Sequence, residues 1–118
     1  MMISDKRQHR RVDCEIPCSF RNMDDSGRMV LAETYVKNIS EGGIRFRSDR
    51  FIPVHHRLFF HLNIPLQKPI AIKTKPAWIT EVPSSGQYEV GASFIDLSED
   101  DRTAIRHLVK TSLAARAY

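Results

Sequence analysis

The chain has 118 residues, 42% of them hydrophobic and 27% charged, with a formal net charge of +4, enough for one small core and no second domain. No apolar run approaches the ~18 residues of a membrane-crossing helix, and the charged start lacks the charged-then-apolar plan of an export signal, so a cytoplasmic chain without a membrane span is expected. Lys6, Arg7, Arg10 and Arg11 against Asp5 place +3 of the charge in the first eleven residues, which suits a local anionic ligand better than a DNA-coating face, where basic residues spread widely.

Residues 1–11 read as a flexible basic segment and 12–118 as a single folded domain. Val12, Cys14, Ile16, Cys18 and Phe20 alternate with polar neighbours, the pattern of a half-buried strand, and Asp24-Asp25-Ser26-Gly27 supplies a turn. A second strand is predicted over about Met29 to Val36. It leads into a turn at Asn38 to Gly43, after which Ile44 and Phe46 alternate with Arg45 and Arg47 in a third, so that this turn caps a hairpin.

Further strands are predicted at Leu58, Phe60 and Leu62, from Ile70 through Trp78, and from Tyr88 to Phe94, with Pro83-Ser84-Ser85-Gly86 turning between the last two. Pro76, which has no N–H to give a ladder, marks an edge or a bulge. Six short strands punctuated by turns indicate an antiparallel barrel or sandwich. The period then changes. Ser98 with Asp101 resembles a capping box, the first turn is acidic, and Ile105, Leu108 and Val109 form one stripe, predicting a helix over about Glu99 to Ala114. Such a stripe ordinarily closes its own domain, here the open end of the barrel, rather than docking a partner.

Cys14 and Cys18 share a strand face about 13 Å apart, too far for a disulfide. His9, His55, His56, His61 and His107 form no ligand pattern around them, so two reduced core cysteines and no metal site are expected. The acids Asp96, Glu99, Asp100 and Asp101 serve capping and solvation, and no nucleophile with a base or carboxylate pair is evident, so no catalytic site and no enzymatic activity are expected.

Two constellations carry the chemistry: Arg7-x3-Arg11 and Asn38-x-Ser40-x2-Gly43. An arginine fork matches phosphate oxygens or the O6/N7 edge of guanine bidentately. Asparagine offers a donor and an acceptor to a base edge, the serine hydroxyl plays either role, and glycine permits close approach of the backbone. Each half alone is also what a basic arm or a polar turn looks like.

Taken with "KRQHRRVDCEIPCSF", "VKNISEGGIRF", "KPAWITEV" and "YEVGASFIDLSEDDRTAIRHLV", the chain resembles the PilZ family from about Lys6 to Val109. The resemblance implies a six-stranded antiparallel PilZ β-barrel with a C-terminal α-helix, a mainly β protein. It also implies a bacterial receptor for the second messenger cyclic di-GMP, whose two signature motifs fall on Arg7, Arg11, Asn38, Ser40 and Gly43. The family's frequent proline before the second motif arginine is replaced by Arg10, which removes a stiffener of the approach to the barrel.

Lys6 and Arg10 either join the ligand's phosphates or only raise the local potential, and Arg10 can alternatively stack on a purine. Trp78 is a packing residue or, as the resemblance implies, lies near the ligand. The Lys6-Arg7 and Arg10-Arg11 doublets favour a self-intercalated cyclic di-GMP dimer by screening its phosphates. The expected ligand is thus cyclic di-GMP, with no cofactor, and the expected partner is an effector protein that the sequence does not identify. The alternatives are a nucleotide-independent adaptor on the same fold and a small basic barrel for single-stranded nucleic acid; the scarcity of aromatics interleaved with basic residues weighs against the latter.

Overall fold

The computed structural model describes residues 10–116, with side chains described through residue 112. Six strands, β1 (Val12–Met23), β2 (Met29–Ile39), β3 (Gly43–Ser48), β4 (Leu58–Leu62), β5 (Ile70–Val82) and β6 (Gln87–Ile95), precede one helix, α1 (Glu99–Arg116). The strands close into an antiparallel barrel in the order β1-β2-β3-β6-β5-β4, with β4 returning to β1.

Alternation sets the inside. Val12, Ile16, Cys18 and Phe20 of β1 are buried while Asp13, Glu15, Pro17 and Arg21 are exposed, as a two-residue side-chain period demands. Phe20, Phe46 and Phe60, from β1, β3 and β4, form an aromatic cluster with ring centroids 4.9 to 5.2 Å apart, within the range where tilted and offset rings attract. Cys18 is buried and Cys14 half-buried. Both thiols donate to β2 carbonyls, Cys14 to Val36 at 3.4 Å and Cys18 to Thr34 at 3.5 Å, and burial pushes them up to about 11 and about 12.

A closed barrel has no edge strand, so Pro76 takes the other alternative: the β5–β6 register shifts between Pro76 and Trp78. Gly27 and Gly86 end the two predicted turns with φ of 85° and 71°, a backbone region that costs other residues a steric clash. β1 and β5 run further than predicted, to Met23 and Val82. Their last residues are mostly half-buried or exposed, so no apolar alternation announces them; backbone pairing with β2 and β6 carries the strands on.

The helix begins at its predicted cap, where Ser98 Oγ accepts the Asp101 N–H at 3.1 Å. Ile105 is fully buried and Val109 nearly so, both within the barrel core, with Leu108 packed against it. The stripe therefore faces the chain's own core. Among the described residues no helix is long and apolar enough to cross a membrane.

Candidate functional site

The register of the first hairpin brings Arg11 of the first motif to the second. Val12 pairs with Ile39 and Asp13 with Asn38, so the residue entering β1, Arg11, arrives beside the second motif. Arg11 Nη1 donates to Asn38 Oδ1 at 2.7 Å, and Asn38 Nδ2 donates to Asp13 Oδ1 at 3.2 Å. One amide group thus faces a cation with its oxygen and a carboxylate with its nitrogen, an arrangement that fixes which way it points. Asn38 is 7% exposed, and both ends of its amide are engaged, so its direct task is to hold the guanidinium at the barrel's rim.

The β2–β3 turn is held mainly by backbone bonds, one within it and one from β6. Ser40 N–H donates to the Gly43 carbonyl at 2.9 Å and Phe94 N–H to the Gly42 carbonyl at 3.0 Å. Ser40 Oγ accepts from Gly42 N–H at 3.1 Å; a hydroxyl that accepts still has its own proton to give. Gly43 has a structural reason to be glycine: a Cβ there would stand 2.3 Å from the carbonyl oxygen of Ala92 on β6. Glu41, at the tip, accepts from Arg106 Nε at 3.0 Å, tying α1 to the turn.

Around the barrel from Asn38, neighbouring strands present a row on the outer surface. Asn38 pairs with Arg45, Arg45 with Gly91, and Gly91 with Trp78. Gly91 leaves a gap that the Trp78 indole fills, since a Cβ at Gly91 would fall 2.3 Å from the indole Nε1 and Cε2. Trp78 nevertheless remains 39% exposed, with part of the indole against the Gly91 backbone. Three strand spacings separate Asn38 from Trp78, roughly 14 Å over the surface.

Of the residues singled out from sequence, Arg11, Asn38, Ser40 and Gly43 gather at one end of the barrel, and Trp78 stands at the far side of the same row. Arg10 is exposed just ahead of β1. Lys6 and Arg7 lie outside the described residues.

Arg45, which the sequence placed only as a basic flank of Phe46, also stands in this row. It lies between Asn38 and Gly91, and its buried Nε has no hydrogen-bond partner, with a Glu89 carboxylate oxygen 3.9 Å away as an ion pair only. The available signal was parity: two residues after Gly43, it must point outward while Ile44 and Phe46 point in.

The sequence matches the profile of the PilZ domain family over residues 5–111. The chain belongs to the PilZ domain family. No curated protein sequence matches it. Among solved structures, this PilZ domain is similar to the Bacillus subtilis inhibitor of motility MotI/DgrA, with a TM-score of 0.77 at 18% identity over 96% of this chain and 54% of that one. It is similar to the PilZ domain of YcgR from Escherichia coli with c-di-GMP, with a TM-score of 0.70 at 11% identity over 95% of both chains. The K. pneumonia MrkH–c-di-GMP complex follows the same fold, with a TM-score of 0.68 at 16% identity over 98% of this chain and 56% of that one. The chain therefore spans about half the length of MotI and MrkH. At these identities the likeness establishes the barrel and its helix.

Proposed function

We propose that this PilZ domain is a cyclic di-GMP receptor that passes ligand binding to an effector protein controlling motility, biofilm or exopolysaccharide, and that it performs no catalysis. The observation that carries the reading is the 2.7 Å bond from Arg11 to Asn38, which joins one arginine of the first signature motif to the second motif. The c-di-GMP complexes of the YcgR domain and of MrkH, on the same fold, support the choice of ligand.

In this reading Arg11 and Arg7 grip phosphate or guanine edges, with Arg11 aimed by Asn38. Ser40 offers its hydroxyl proton and Gly43 keeps the turn against β6. Trp78 gives a purine its exposed surface, and Lys6 and Arg10 add positive potential, enough to favour a self-intercalated ligand dimer. The basic segment 1–11 closes over the nucleotide, while 12–118 is the fixed body. Each ordered residue opposes binding by about 1 to 2 kcal/mol of backbone entropy, which arginine contacts worth about 1.5 to 3 kcal/mol each must exceed.

A nucleic-acid reading draws less support. Phe46, the aromatic flanked by Arg45 and Arg47, is fully buried, and both arginines sit 3.9 Å from Glu89, which offsets their charge. A polymer-binding face needs exposed aromatics among uncompensated cations.

Calorimetric titration of the purified chain with cyclic di-GMP, with GTP as control, tests the reading. The wild type is expected to bind with two nucleotides per chain, and Arg7→Ala/Arg11→Ala to bind on the order of a hundredfold more weakly or not at all. No heat and no shift in melting temperature at high ligand excess would overturn it and leave a nucleotide-independent adaptor.

A further inference from the structure

At the end of the barrel opposite Arg11 and Asn38, three side chains from two separate loops converge. Asp25 lies in the turn between β1 and β2, and His55 and His56 in the connection from β3 to β4. His55 Nε2 stands 2.9 Å and His56 Nε2 3.2 Å from the same carboxylate oxygen, Asp25 Oδ1, and the three ligand atoms all lie within 4.8 Å of one another. We propose that Asp25, His55 and His56 form a binding site for a divalent transition metal, with Zn²⁺ the best match.

The geometry is close to what such an ion requires. With metal–ligand bonds of about 2.0 to 2.1 Å, the ligand atoms of a tetrahedral zinc site are about 3.3 Å apart. The two distances to Asp25 Oδ1 are 2.9 and 3.2 Å and the imidazole nitrogens lie within 4.8 Å of each other, so a carboxylate shift of a few tenths of an ångström, with the rings turning toward one point, admits the ion. The imidazole rings meet at 87° with centroids 4.7 Å apart, which lets the two nitrogens approach one point from different corners. Two imidazoles and one carboxylate are a donor set that suits zinc and its neighbours in the first transition row far better than calcium or magnesium. Three protein ligands leave one tetrahedral position for water or an incoming group.

The loops are prepared to hold these groups. His56 is 7% exposed and its Nδ1 is buried without a partner, a cost that an apolar residue filling the same space would avoid. Arg57 Nη1 donates to the His55 and His56 carbonyls at 3.3 and 3.0 Å, fixing the backbone that carries both rings. Its positive charge opposes a cation nearby, while the Asp25 carboxylate supplies one negative charge to the site. Asp24 is engaged elsewhere, accepting from Ser26 and Arg28 backbone N–H groups, which leaves Asp25 as the carboxylate presented to the histidines. A bound ion would clamp the first hairpin to the β3–β4 connection and brace the distal end of the barrel.

The test uses the full chain with Zn²⁺ in competition with a chromophoric chelator, and Co²⁺ as a spectroscopic stand-in whose visible bands report ligand geometry. One equivalent of Zn²⁺ is expected, with a rise in melting temperature that a chelator reverses. Asp25→Asn and His55→Ala alter exposed side chains and so leave the barrel folded; each is expected to weaken Zn²⁺ at least about tenfold, the range for disturbing a metal ligand's surroundings, and to abolish the Co²⁺ bands. Failure of the wild type to take Zn²⁺ from the chelator would overturn the proposal. So would affinity unchanged in both variants, which would place the ion on His61, His107 or the N-terminal residues.

Discussion

The two ends of the barrel are assembled by different means. At the Arg11–Asn38 end, strand register, a backbone-bonded turn, a glycine pressed against β6 and the C-terminal helix all converge on the second motif. At the distal end, the first hairpin meets the β3–β4 connection through the contacts of Asp25 with two histidines. In the proposed receptor the first end supplies a preformed half of the ligand surface, so that ordering of the basic segment is the main entropy that binding must overcome. The second is held by polar side chains, two of them exposed, so its contacts can be altered while the core stays intact.

This contrast can be broken most severely at the helix. Ile105 is fully buried where α1 meets the barrel, and Ile105→Ala is expected to cost about 2 to 5 kcal/mol by opening a cavity. Denaturant unfolding measures it, and because Arg106 ties the same helix to Glu41, nucleotide affinity should fall as well. A loss of stability with affinity untouched would show that the helix does not brace the site.

The interior of β1, which joins the two ends, gives a chemical readout. Burial raises Cys14 to about 11 and Cys18 to about 12, so at pH 8 both are neutral thiols, and alkylation of the native chain should be on the order of a hundredfold slower than that of an ordinary thiol near 8.5. The linkage has a definite sign: above the unfolded thiol value the unfolded chain loses protons that the native chain keeps, so stability falls as pH rises from about 9 toward 11 to 12. A pH series of chemical unfolding, compared with Cys14→Ser/Cys18→Ser, checks the direction.

Gly43→Ala sharpens the comparison with a smaller effect. Its Cβ would meet the Ala92 carbonyl at 2.3 Å, a backbone atom with little room to move, so a loss of about 1 to 3 kcal/mol is expected from overpacking. Nucleotide affinity should fall with it as β3 shifts from β6. Smallest of all, Glu41→Ala removes a partly exposed ion pair with Arg106 and should change stability by only about 0.2 to 1 kcal/mol, which thermal unfolding at low and high salt can resolve.

Much of the fold was legible because alternation and capping are local signals. Val12 to Phe20, Ile44 with Phe46, and Ser98 with Asp101 announce their strands and helix within a few residues. The meeting of Arg11 with Asn38 was legible through the family motifs, and strand register supplies its physical reason. Other features depend on barrel closure and so on residues far apart in sequence. Trp78 lies on Gly91 through the β5–β6 register, which shifts between Pro76 and Trp78; Pro76 signals the bulge, but nothing local tells which β6 residue the indole meets. The role of Gly43 against Ala92 required knowing that β3 pairs with β6 rather than β4. Asp25 reaches histidines thirty residues away only because the first hairpin and the β3–β4 connection share an end of the barrel, and the histidines had been weighed only as partners of the cysteines.

Amide and indole NMR shifts of the isotopically labelled chain, followed during titration with cyclic di-GMP, test the central claim most directly. The account predicts saturable shifts concentrated at Arg11, Asn38 to Gly43 and the Trp78 indole N–H, with Asp25, His55 and His56 unmoved. Shifts centred on the distal end, or none at saturating nucleotide, would contradict it.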